Sequence, residues 1–136
     1  MKLNAMAYTY SDPQSLIHHI LKQLTDACDL IICWNQSVIS VDDYLCSPDG
    51  MQKMAATCMI IESIGEGIKK IDRLNQDFLT SNAPHIPWRN IKGLRDHIAH
   101  GYFNLDAEII FDVAKNEIPG IRIELARLTD IAMTSF

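Results

Sequence analysis

The chain has 136 residues, of which 48% are hydrophobic and 21% charged. That size and balance suit one globular domain over residues 1–136, and they exclude a disordered or disulfide-dependent chain. A net charge of −5 excludes a general polyanion binder, so any polyanion contact must come from a local basic patch or from shape.

No apolar run approaches the roughly 18 residues of a membrane-crossing helix. Residues 1–10 lack the apolar stretch of a signal peptide and read as a loose N-terminal extension of a cytoplasmic protein. Cys28, Cys33, Cys46 and Cys58 form no Cys-x-x-Cys pair. Buried, reduced thiols are expected rather than a zinc site.

In chain order, Ser11-Asp12-Pro13 is a helix start, with either Ser11 or Asp12 as cap. Leu16, Ile20, Leu24, Ala27, Ile31 and Trp34 then recur at spacings of three and four. They predict an amphipathic helix to about residue 37. Ser40-Val41-Asp42-Asp43 offers a short second start, although residues 38–44 are also the one weak strand candidate. Ser47-Pro48 opens the longest helix, expected to reach about Leu79. Its Gly65 and Gly67 imply close helix packing, since no strand precedes them to make a phosphate loop. Pro87-Trp88 begins a third helix with Gly101 as its stop. Asn104 or Asp106 caps a fourth, and Pro119 opens a fifth. No proline is expected inside a helix. The reading is all-α, an antiparallel bundle of about five helices.

The unusual segment runs from Trp88 to Tyr102. It gathers Arg89, Lys92, Arg95, His97 and His100, with His85 just upstream. Arginine grips phosphate oxygens in pairs, and histidine carries protons near neutral pH. Together they form a minimal kit for breaking a phosphodiester without a metal. On a helix Asp96 would reach and orient His100, four residues on. Arg95 and His100 are five apart, about 140° around an ideal helix, and do not share a face. Either the helix unwinds near Gly101, or two copies place their motifs side by side in a shared cleft, the arrangement favoured here.

Arg95, four residues, His100, one residue, Tyr102 resembles the Arg-x4-His-x-Tyr motif of HepT-like HEPN toxins. Trp88-Arg89, Gly93, Ile98-Ala99, Phe103, Asp43-Tyr44-Leu45 and Ile64-Gly65-Glu66 also resemble that group, over roughly residues 12–133. The resemblance implies a dimerising helical bundle that cleaves RNA without metal or cofactor, using the ribose 2′-hydroxyl as nucleophile. It implies His100 as the proton-transfer residue and Arg95 as the holder of the phosphate. Arg89, Lys92 and His97 are further candidates for RNA contact. The resemblance also implies a type II or type VII toxin–antitoxin system. Its partner would be an MntA-like minimal nucleotidyltransferase that neutralises the toxin by placing AMP on Tyr102. Many HEPN motifs carry asparagine after the arginine, whereas this chain has Asp96, which leaves open whether His100 is acid or base.

The structural alternatives stand beside these. Arg95 could pair with Asp96 or Glu66, and Tyr102 could simply pack its ring. Arg89 and Lys92 could form a solvated face. Trp34 and Trp88 are core or dimer anchors, and Met51, Met54 and Met59 fill core or interface gaps. The competing function is a non-catalytic substrate-binding or regulatory subunit of a minimal nucleotidyltransferase, and a weaker one is a helical dimer with a decayed site.

Overall fold

A computed structural model describes residues 12–99 and 104–134. The loose extension expected at residues 1–10 lies outside them. Among the described residues the chain is all-α, with one isolated antiparallel bridge between Ala99 and Leu105.

Helix α1 (Pro13–Trp34) starts where Asp12 accepts from the backbone N–H groups of Gln14 and Ser15, with Pro13 in the first turn. Of the two candidate caps, the described one is Asp12, whose side chain satisfies amides that the helix leaves unpaired. The short helix α2 (Asp42–Leu45) replaces the weak strand candidate. The Asp43 carboxylate turns back to accept from the amides of Ile39 and Ser40, which closes a turn in place of an extended run.

Helix α3 (Pro48–Leu74) is capped by Ser47 Oγ, 2.9 Å from the Gly50 amide. It ends five residues earlier than the sequence pattern suggests. Asn75 is extended, and its side chain accepts from the Asp77 amide, so a polar side chain competes with the helical ladder. Helix α4 (Phe78–Asn82) follows as a separate turn. The third expected helix is two pieces, α5 (Trp88–Lys92) and α6 (Leu94–Ile98), jointed at Gly93. Gly101, the expected stop, lies outside the described residues, but the helix has already ended at Ile98, where Ala99 turns extended.

The last two expected helices are one continuous piece. Helix α7 (Ala107–Asp112), capped by Asp106, passes through a π-helical segment (Val113–Glu117) into helix α8 (Ile118–Thr134). Pro119 therefore lies inside a helix, contrary to the sequence reading. A proline removes an amide donor and crowds the carbonyl four residues before it, here that of Lys115. The ladder widens just upstream, with the Ile118 N–H reaching back five residues to Val113, and that slack admits the ring.

Helices α1 and α8 make the most extensive pairing among the described elements. Gln14 meets the Ala132 carbonyl, His18 Nδ1 donates to Thr129, and Asp29 pairs with Arg122, so the two run antiparallel. Helix α3 also runs antiparallel to α1, as Asn35 meets Thr57 at one end and Leu24 meets Gly67 at the other. One continuous core runs from Ile17 to Ala132. Trp88 belongs to it, with its indole N–H on the Ala83 carbonyl. Trp34 is only half-buried. Gly65 and Gly67 of α3 face close neighbours, as the small residues implied. A Cβ on Gly67 would stand 2.5 Å from Leu24 Cδ2, and one on Gly65 would stand 3.3 Å from the Ile91 carbonyl oxygen. Gly65 thus lets the corner between α5 and α6 press onto α3, and that contact positions the segment carrying Arg95.

Of the four cysteines, all free thiols, Cys28 and Cys58 are buried while Cys33 and Cys46 are exposed. The expectation of buried thiols holds for the first pair alone. Met54 is buried, but Met51 and Met59 are exposed. No helix of the described residues is long and apolar enough to cross a membrane.

Candidate active site

Helix α6 is a little over one turn long and presents Arg95, Asp96 and His97 to solvent while Ile98 is buried beneath them. The Asp106 amide donates to the Ile98 carbonyl at 2.8 Å, and Ala99 pairs with Leu105. These two contacts bring the chain on either side of residues 100–104 together. His100 and Tyr102 lie outside the described residues. Ala99, the residue covalently preceding His100, lines the same groove as Arg95.

That groove encloses about 370 Å³ between α3, α6 and the Ala99–Leu105 bridge. Ala55, Cys58, Met59 and Glu62 of α3 form one wall, and Arg95 with Ala99 and Leu105 forms the other. Arg95 is paired neither with Asp96 nor with Glu66, the partners the sequence suggested. Its Nε lies 3.1 Å from Glu62 Oε1, and the Arg95 side chain remains 62% exposed. Glu66 instead pairs with Lys69, one turn along its own helix. The sequence reading missed Glu62. The available signal was its place three residues before Gly65, where the neighbouring segment had to approach.

Asp96 and His100 are four apart in sequence, but α6 ends at Ile98, so helical spacing does not relate them. For the same reason the angle of about 140° between Arg95 and His100 does not describe this segment.

The other basic candidates are spread out. Lys92 is half-buried and bound to Asp72 at 2.6 Å, so it is not simply part of a solvated face. Arg89 is exposed and lines a separate groove with Asp72, Arg73, Asp77 and Lys92. His85 sits against Glu124 of α8 at 2.9 Å, away from the Arg95 groove. Arg127 and His85 together hold the Glu124 carboxyl below its ordinary value. Cys58, at the base of the Arg95 groove, has its thiol pushed up by burial and then by the Glu62 carboxylate, with Arg95 opposing. Its thiolate is therefore disfavoured, and it is a wall of the groove rather than a nucleophile. No cluster of metal-ligating side chains occurs among the described residues.

A family model described as Ribonuclease HepT-like matches residues 20–128. The chain belongs to the HepT-like family. A protein of Thermococcus cleftensis described as "Probable ribonuclease HepT" is 30% identical over 108 residues, covering 79% of this chain and 91% of the relative. One from Caldanaerobacter subterraneus described as "Putative RNase" is 26% identical over 116 residues, 85% of this chain and 93% of the relative. A "Putative RNase" of Methanocaldococcus jannaschii is 36% identical over 73 residues, 54% of this chain. The match spans 60% of that relative's length and 57% of a second one from the same organism. No solved structure matches the chain. The all-α architecture is that of a HepT-like HEPN protein, with the Arg95 segment on its surface.

Proposed function

We propose that this HepT-like protein is a metal-independent endoribonuclease and the toxin of a toxin–antitoxin pair of type II or type VII. Its composite site joins Arg95 and His100 at a homodimer cleft. The observation that carries the reading is the Arg95 guanidinium at the rim of an open groove that Ala99, the residue before His100 in the sequence, also lines. Family membership and the names of the relatives supply the substrate class, RNA.

The chemistry asks for little else. A ribose 2′-hydroxyl attacks the adjacent phosphorus, the bond to the 5′-oxygen breaks, and a proton passes from one oxygen to the other. His100 moves that proton, and Arg95 stabilises the charge that builds on the non-bridging oxygens. Asp96 and the exposed His97 adjoin Arg95 on α6, while Arg89 and Lys92 line a separate groove that RNA would meet only beyond the cleft.

The dimer draws support from Met51, Ala55 and Met59. They stand exposed at four-residue spacing on α3 and lead to the Arg95 groove, an apolar stripe beside the chemistry. The antitoxin is an MntA-like nucleotidyltransferase that attaches AMP to Tyr102, adding bulk and negative charge where RNA phosphate would enter.

Purified protein incubated with RNA in EDTA is expected to cleave it. Arg95→Ala and His100→Ala should each abolish cleavage while sedimentation still reports a dimer. Full activity in either variant removes that residue from the site. Mixing with the partner and ATP should add one or more AMP masses to Tyr102. A protein that binds such a partner tightly and never cleaves RNA would instead be its non-catalytic subunit.

A further inference from the structure

Glu62 has no evident structural task. An ion pair this exposed adds little to stability, because water and salt screen it and two long side chains must be ordered to make it. Its position is nonetheless tightly set. It lies on the groove-facing side of α3, one turn beyond Cys58 and one turn before Gly65. The missing Cβ of Gly65 allows the backbone at Ile91 and Lys92 to approach α3. The close approach of the α5–α6 corner is what brings Arg95 within reach of the carboxylate. Among the described residues Glu62 is also the sole acidic side chain lining that groove.

The atom that Glu62 contacts matters. A guanidinium offers one N–H at Nε and four at its two terminal nitrogens. The carboxylate stands 3.1 Å from Nε. A guanidinium drawn there by charge can still present a terminal edge to two oxygens of a phosphate. An unanchored arginine would spread its charge over many rotamers and hold the reacting phosphate in few of them.

We propose that Glu62 is a positioning residue for Arg95: its carboxylate, 3.1 Å from Nε, draws the guanidinium toward α3 by charge and leaves the terminal nitrogens to face the phosphate being cleaved. This rests on the ribonuclease reading above. Glu62 touches no substrate and moves no proton. It converts a mobile surface arginine into an aimed one.

The test uses the full chain, a mixed-sequence single-stranded RNA with a fluorophore and quencher at its ends, and ¹⁵N-labelled protein. In Glu62→Ala, kcat should fall about 10- to 100-fold, with a smaller change in KM and an unchanged melting temperature. Loss confined to the chemical step marks an interaction made chiefly in the transition state. Glu62→Gln, which keeps an oxygen acceptor, should recover part of the loss. The Arg95 Nε–H resonance, assigned by its absence in Arg95→Lys, should be distinct in the wild type and collapse toward the free-arginine position in Glu62→Ala. Unchanged or raised kcat in Glu62→Ala overturns the proposal, and a rise would mean that Glu62 competes with phosphate. A lowered melting temperature that accounts for the lost activity overturns it equally, since the role would be structural. A wild type that is inactive with its Nε–H signal intact sinks the ribonuclease reading first, and the pair is then only a surface contact.

Discussion

Two polar clusters lie within five residues of each other along α3, and they differ in almost every physical respect. Around Thr57 the polar groups are sealed. Asn35 donates from Nδ2 to the Ile31 carbonyl and to Thr57 Oγ1, and accepts from the Tyr44 hydroxyl, while Lys115 Nζ donates to its backbone carbonyl. Asn35, Tyr44 and Thr57 are almost fully buried. Around Glu62 the groups are wet, and the arginine keeps most of its side chain in solvent. The sealed cluster ties α1, α2, α3 and the π-helical segment together, and none of its groups can meet a ligand without breaking a partnership. The exposed cluster ties nothing that the core does not already hold, and its guanidinium can exchange water for phosphate at small cost. Burial, rather than the number of polar contacts, separates the cluster that builds the fold from the one that can act.

The largest expected contrast is at Arg95. Arg95→Ala should remove about 10³-fold or more of any ribonuclease rate, yet shift stability by less than about 1 kcal/mol in denaturant melts. A large stability loss would erase the distinction between the clusters. Asn35→Ala should do the reverse. It leaves the Tyr44 and Thr57 hydroxyls without their partner in the core, so unfolding should become easier by about 3 kcal/mol. Cleavage per folded molecule should be unaffected.

Tyr44→Phe is a smaller cut into the same knot, expected to cost about 1–2 kcal/mol because Asn35 Oδ1 loses its donor. The Tyr44 phenol is pushed up to about 12, mainly by burial, with the Thr57 hydroxyl partly opposing. A folded value above the ordinary 10.0 means that the unfolded chain ionises first. Stability from this group is therefore full below pH 10.0 and is lost as pH rises toward 12. Ultraviolet titration should show a late phenol that is absent in Tyr44→Phe. A Tyr44 that ionises near the ordinary 10.0 would mean the knot is open to water.

The smallest effect concerns the thiols. Burial pushes Cys28 up to about 12 and raises Cys58 too, whereas Cys33 and Cys46 are exposed. Iodoacetamide on native protein should therefore modify Cys33 and Cys46 and spare the other two, read by peptide mass. Rapid labelling of Cys58 would show that the Arg95 groove opens more deeply than its described walls allow.

Local chemistry was legible without coordinates. The apolar spacing of Leu24 and Ile31, the Pro13 and Pro48 starts and the capping side chains are short-range signals, and they marked α1, α3 and α7. The motif around Arg95 was equally plain, since it is a matter of residue type and spacing. What the sequence alone determined, then, is an all-α chain with a concentrated basic and imidazole segment. Other features depended on backbone and side-chain contacts formed only in the folded chain, which no pattern of residue types carries. Pro119 read as a helix start because a proline disrupts a regular α-ladder, and only the packed long helix revealed the π-helical slack that admits it. The end of α6 at Ile98 follows from the Ala99–Leu105 bridge, a contact across the chain. The pairing of Arg95 with Glu62, rather than with nearer Asp96 or Glu66, required α3 and α6 to be brought together over Gly65. Tertiary packing alone made that choice, because an ion pair forms where folded backbones bring two charges within reach, whatever their separation along the chain.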